Sequence, residues 1–202
     1  SKLGTRNEFR FEKGYSQGAN GGLLEVHAPA QVWDGKIIAG VLTGEREISG
    51  PAVGGTFKFG STSIPDSNFH ADNLLIQKEA ATLPDGFSMS SALPADRKST
   101  LVLSTDMLNE SGLGKLDLNV NGNITFASST DLELAPGSTV TVIGYQPGKS
   151  VVIDGSIRLP GGTFNLSAQG ATTIEALPRG GRRRSTALIR ARSSARSKGF
   201  GR

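Results

Sequence analysis

The chain has 202 residues, no cysteine and two histidines, with 22 Lys+Arg against 18 Asp+Glu. This composition excludes a disulfide framework, a thiol nucleophile and cysteine-ligated zinc, and it leaves a histidine-rich metal site without support. The formal charge of +4 points towards polyanions until its distribution is considered: residues 179–202 carry nine basic side chains and no acid, which leaves 13 basic and 18 acidic residues, a balance of −5, for residues 1–178.

In chain order, residues 1–13 read as an irregular N-terminal segment. Residues 1–10 are polar, without an initiator Met or the apolar centre of a signal peptide, and the expectation is a piece of a longer or processed polypeptide. Residues 15–22 are turn-rich. From there to residue 178 the apolar period is two. It alternates at Leu23-Leu24-Glu25-Val26, Thr56-Phe57-Lys58-Phe59, Thr100-Leu101-Val102-Leu103 and Lys115-Leu116-Asp117-Leu118-Asn119-Val120. It continues at Asp131-Leu132-Glu133-Leu134, Thr139-Val140-Thr141-Val142, Ile157-Arg158-Leu159 and Thr163-Phe164-Asn165-Leu166. These segments predict short strands with one buried and one wet face. No amphipathic helix of ten or more residues precedes residue 178, which disfavours a βαβ fold. No apolar run approaches the ~18 residues of a transmembrane helix.

A longer period follows from the alternation. Leu116, Val140 and Phe164 recur at one constant interval, as do Leu118, Val142 and Leu166, with polar Asp117, Thr141 and Asn165 between them. The interval, about 24 residues, lies in the range of solenoid repeats. Stacked in register, the apolar positions form inward ladders and the polar ones outward ladders. A second ladder is read as Leu101/Leu103, Ile124/Phe126, Val151/Ile153 and Ile174/Ala176, and a third as Leu132/Leu134 and Ile157/Leu159. Three short strands per repeat predict a parallel β-helix over residues 14–178, right-handed by the crossover rule. Glycine, at 27 residues, is about twice its usual share of ~7%. Gly21-Gly22, Gly54-Gly55 and Gly161-Gly162 each precede an alternating strand, where positive φ would let the chain turn a corner.

Those Gly-Gly-led strands, together with residues 111–126 and the run from Val151 to Gly162, resemble the secreted adhesins of the filamentous haemagglutinin type, exported by two-partner secretion in Gram-negative bacteria. The resemblance covers about residues 14–178. It implies a right-handed parallel β-helix shaft, export through an outer-membrane two-partner transporter, a secreted or cell-surface location, a role in virulence through cell adhesion, and a host-cell glycan or protein receptor. It carries over no catalytic, cofactor-binding or metal-binding residue and no enzymatic activity.

The chemical candidates are few. Asp117 shares its outward ladder with Thr141 and Asn165, one carboxylate and not a cluster; Asp131, Glu133 and Asp154 have no spacing that brings them together. A polysaccharide-active β-helix enzyme, lyase or hydrolase, would need such a cluster. His27 reads as a strand-edge residue beside Trp33. His70, with Asp66 and Asp72, loosely resembles a metal-ligand set but reads as part of a surface loop. The tail, with Arg179, Arg182, Arg183 and Arg184, offers electrostatic nucleic-acid binding as an alternative, but it lacks stacking aromatics and is expected to be disordered. No specific nucleic acid is expected. Residues 41–53 and 61–99 break the period and are expected to leave the stack as recognition loops. The reading is an all-β, non-catalytic adhesive shaft segment that contacts neighbouring repeats of a longer protein.

Overall fold

The structure, a computed structural model, describes residues 14–45, 51–60, 67–80, 82–88 and 90–169, with the backbone of 172–174 and 189–193. Among them, helix is confined to short pieces and strands dominate. The strands are β1 (Leu23–Val26), β2 (Thr56–Phe59), β3 (Asn73–Gln77), β4 (Thr100–Ser104), β5 (Lys115–Val120), β6 (Ile124–Phe126) and β7 (Asp131–Glu133). They continue as β8 (Thr139–Gly144), β9 (Val151–Ile153), β10 (Ser156–Arg158), β11 (Thr163–Ala168), β12 (Thr172–Ile174) and β13 (Ile189–Ser193). A single short helix, α1 (Thr105–Glu110), follows β4.

Among the described residues the named strands all pair in parallel. The first sheet runs β1-β2-β5-β8-β11-β13, the second β12-β9-β6-β3-β4, and the third is β10-β7. From β5 to β12 the chain visits the first, second and third sheets in rotation. A parallel neighbour needs a return path of about a dozen residues or more, and the repeat interval supplies it. Leu116 lies opposite Val140 and Val140 opposite Phe164, while Leu118, Val142 and Leu166 form the next rung. These six side chains are buried, and one continuous apolar cluster joins them to the inward residues of the other sheets. Phe126 of β6 meets Phe164 of β11 edge to face at 5.9 Å, so the first and second sheets share one interior. Removal of such surface from water, at about 25 cal/mol per Å², is the main stabilising term.

The second ladder departs from its expected order. Leu101/Leu103 do not neighbour Ile124/Phe126, because β3 lies between them, pairing Leu74 with both Leu101 and Ile124. Residues 73–77 therefore belong to the sheet, contrary to the expectation that region 61–99 leaves it. The chain lays down β3, steps back to place β4 on its outer side, and then moves forward to β5. The spacing from Leu101 to Ile124 imitates one step of the repeat without being one. At the other end Ile174 pairs with Ile153, not Val151; Ala176 lies outside the described residues. The third ladder is as expected, with Leu132 opposite Ile157.

Of the basic segment 179–202, residues 189–193 are described, and their backbone forms β13 beside β11. The rest of the segment lies outside the described residues.

Glycine serves two purposes. Gly161 has φ +63° and makes the expected corner. Gly21 and Gly54 have no positive φ. A Cβ on Gly21 would strike the backbone of Gly55, and one on Gly54 the carbonyl oxygen of Gly112. Before β1 and β2, glycine is required by close approach of neighbouring backbones, not by a left-handed turn.

α1 is capped by Ser104, whose Oγ accepts from the Met107 N–H at 3.3 Å, and it buries Leu108. It packs beside β7. There the Asn109 side chain donates to the Asp131 carbonyl and accepts from the Glu133 N–H, each at 2.8 Å.

Candidate functional site

The outward face of the first sheet carries Glu25, Lys58, Asp117, Thr141 and Asn165 on successive strands in one register. Lys58 reaches Glu25 at 2.7 Å and His27 reaches the same oxygen at 3.0 Å. The Lys58 hydrogen bond is the main cause that holds the Glu25 carboxyl below the ordinary glutamate range. Asp117 pairs along its own strand with Lys115 at 2.8 Å. The acids of this ladder thus alternate with bases, an arrangement that neutralises charge and does not gather it.

Asp131 and Glu133 share the exposed face of β7, contrary to the expectation that no spacing brings them together. Arg158, one strand away, lies between them, with Nη2 at 2.9 Å from Asp131 and Nε at 2.9 Å from Glu133. Its proton is held more tightly, first by the Glu133 hydrogen bond and then by that of Asp131. Both carboxylates are thus engaged by a single guanidinium, which leaves the triad with a net charge of −1. The triad is about half exposed, so its contribution to stability is ~1 kcal/mol or less. Asp154 follows β9, and no ion pair joins it to this triad among the described residues.

Neither histidine sits in a ligand set. His27 is partly buried between Glu25 and the edge of Phe69. His70 is buried and stacks on Tyr145 at 4.9 Å with planes 15° apart. The Tyr145 hydroxyl faces Asn119, and burial pushes its pKa up. This corrects the surface-loop reading of His70: the ring is core packing beneath Gly60, where a Cβ would collide with it. Asp72 is exposed, and Asp66 lies outside the described residues. Among the described residues no three His, Asp or Glu side chains could hold a metal ion.

One concave feature was missed in the sequence. A cleft of about 220 Å³ is lined by Trp33, Asp34, Gly35, Glu79, Ala80, Thr82, Ser104 and Met107. Trp33, the only tryptophan, sets its ring edge to face on Phe57 and Phe59 at 4.8 and 5.4 Å. Asp34 ties three segments together: Oδ2 accepts from the Leu83 N–H at 2.8 Å and Oδ1 from Arg97 Nη2 at 3.4 Å. Arg97 is 2% exposed. No local pattern predicts a partnership between positions so far apart in the chain; the signal available was an arginine in a stretch otherwise free of regular elements. Glu79, Ala80 and Thr82, expected to belong to a recognition loop, form part of this cleft. The described residues of 41–53 do not. They pair with the N-terminal approach through Leu42 and Ala19, and through Val53 and Gly21.

The Arg179–Arg184 cluster lies outside the described residues. No helix among the described residues is long and apolar enough to cross a membrane. No protein family matches the chain, and no curated protein or solved structure is significantly similar to it.

Proposed function

We propose that this chain is a stiff shaft segment of a secreted or cell-surface adhesin, folded as a right-handed parallel β-helix and without catalytic activity. The observation that carries the reading is the rotation of the chain through three parallel sheets from β5 to β12 with inward apolar rungs in register. Such stacking makes a rod whose length grows with each repeat. A rod holds weak contact sites away from the cell and lets them act together. In this reading the parent chain leaves the cell through a two-partner outer-membrane transporter, and its receptor is a host glycan or protein. Ion pairing of the acids on the outward faces supports adhesion over polysaccharide cleavage.

Two measurements test it. Full-length protein on beads should bind epithelial cells saturably, with binding that rises more than proportionally with surface density; absence of binding at every density overturns the adhesive role. Release of unsaturated or reducing ends from acidic polysaccharides in the presence of calcium would overturn the non-catalytic reading.

A further inference from the structure

The cleft beside Trp33 sets an apolar ring next to two carboxylates. Trp33 is partly exposed, yet three contacts fix its position. Phe57 and Phe59 pack against it edge to face, and its indole N–H donates to Gln31 Oε1 at 3.2 Å. A partly exposed indole that lines a concavity is a platform for a ligand with one apolar face. Its rigidity lowers the entropy lost on binding.

Asp34 is fixed as well. The Leu83 N–H engages one of its oxygens and Arg97 Nη2 the other, and its side chain remains 20% exposed. A carboxylate has about four acceptor sites, so each oxygen keeps capacity for a further donor. The buried Arg97 offsets its charge, so Asp34 suits a neutral O–H donor better than a second cation. Glu79, whose side chain is 75% exposed, brings a second carboxylate and Thr82 a hydroxyl. Among the described residues no basic side chain lines the cleft, so an acidic ligand meets like charge without a counter-charge. The volume of about 220 Å³ is below the ~300 Å³ at which pockets for drug-sized ligands begin, and it suits a single six-membered ring. A ligand of that size with one C–H face, a rim of hydroxyl donors and no charge is a pyranose. We propose that the cleft binds a terminal neutral hexose of a glycan, its C–H face against Trp33 and its hydroxyls donating to Asp34 and Glu79. The role of this site rests on the adhesive reading above, and the site narrows the receptor to neutral glycans, against sialylated or sulfated ones.

Trp33 is the only tryptophan of the chain, so its emission reports on this cleft. The full-length chain is titrated with the methyl glycosides of glucose, galactose and mannose, and separately with N-acetylneuraminate, glucuronate and tetramethylammonium. At least one neutral glycoside should change the emission saturably, with half-saturation near ~1 mM, the weak end of the affinity scale. The two acids and the ammonium ion should leave it unchanged. Ala80→Phe, which fills the cleft, should abolish the response at an unchanged urea midpoint. Glu79→Ala, at an exposed position, should raise the half-saturation about fivefold. The proposal is overturned if no neutral glycoside saturates, if the response survives both substitutions, or if the acids bind as well as the neutral sugars. Saturation by tetramethylammonium alone also overturns it and gives the cleft to a cation. Coated beads on epithelial cells separate this site from the reading it rests on. Beads that adhere although every titration fails remove the sugar site and leave the adhesive role; a sugar response from beads that never adhere keeps the site and removes the role.

Discussion

Residues 113–168 and residues 14–112 reach the same parallel sheets by different means. In the first region one constant step carries the chain from a strand to its neighbour, and the two longest pairings among the described residues, β5 with β8 and β8 with β11, are both made there. In the second region Phe57 is separated from its partners Leu24 and Leu116 by unequal stretches of chain, both longer than that step. The extra chain is not idle. It supplies β3, the backward step to β4, α1 and the Trp33–Asp34–Arg97 assembly. Repetition stabilises the first region through identical neighbours; particular long-range contacts stabilise the second. Damage in the repeat should therefore spread to adjacent strands, and damage in the irregular half should remain local.

The largest test of that contrast is Val142→Asp. It places a carboxylate at a fully buried rung between Leu118 and Leu166, with no partner to offset desolvation. A loss of about 4 kcal/mol or more is expected, seen as a lower urea midpoint and loss of exchange protection in β5, β8 and β11 together. An unchanged midpoint would overturn the register. Phe57→Ala in the irregular half should cost ~3–5 kcal/mol. It should also shift the Trp33 emission to the red, because the single tryptophan loses one of its two aromatic partners; protection in β8 and β11 should remain.

Arg97→Met should be milder, about 1–3 kcal/mol. It removes the donor that faces Asp34 in a buried place but keeps most of the arginine stem's packing. Exchange at Leu83 should quicken, while the 113–168 strands keep their protection. The smallest effect is Glu25→Gln. The folded Glu25 carboxyl is held below its ordinary range. Its stabilisation is thus present above the unfolded pKa and lost as pH falls through the folded value. Midpoints of the wild-type and Glu25→Gln chains, compared from pH 6 to pH 3, should converge towards the acid end; a constant gap would remove Glu25 from the acid limb.

How much of this could be read beforehand follows the same division. Leu116, Val140 and Phe164 announce their register because each is one repeat from the next, and Leu132 with Ile157 likewise. The place of β3 is not announced: a backward step leaves no trace in a period, and the spacing from Leu101 to Ile124 falls by accident near the repeat length. Arg97 and Asp34 are each ordinary in their local sequence; only the fold buries one and turns the other towards it. The pair Asp131 and Glu133 lies on one face by alternation, but the arginine that bridges it is on the next strand of the sheet. The glycine pairs were legible as necessary, yet at Gly21 and Gly54 the reason is a neighbouring backbone that no local pattern discloses.

Asn109 has a consequence of its own. Its amide consumes one acceptor and one donor on the outer edge of β7, the pair of groups an incoming strand would use first. The short helix α1 thereby does for the third sheet what a guard strand does in other β proteins, and it does so with one side chain. Growth of that sheet by foreign chains is stopped on this side without a proline, a bulge or a charged barrier. An aspartate at the same place would keep the acceptor and lose the donor, leaving the Asp131 carbonyl as an exposed handle for aggregation.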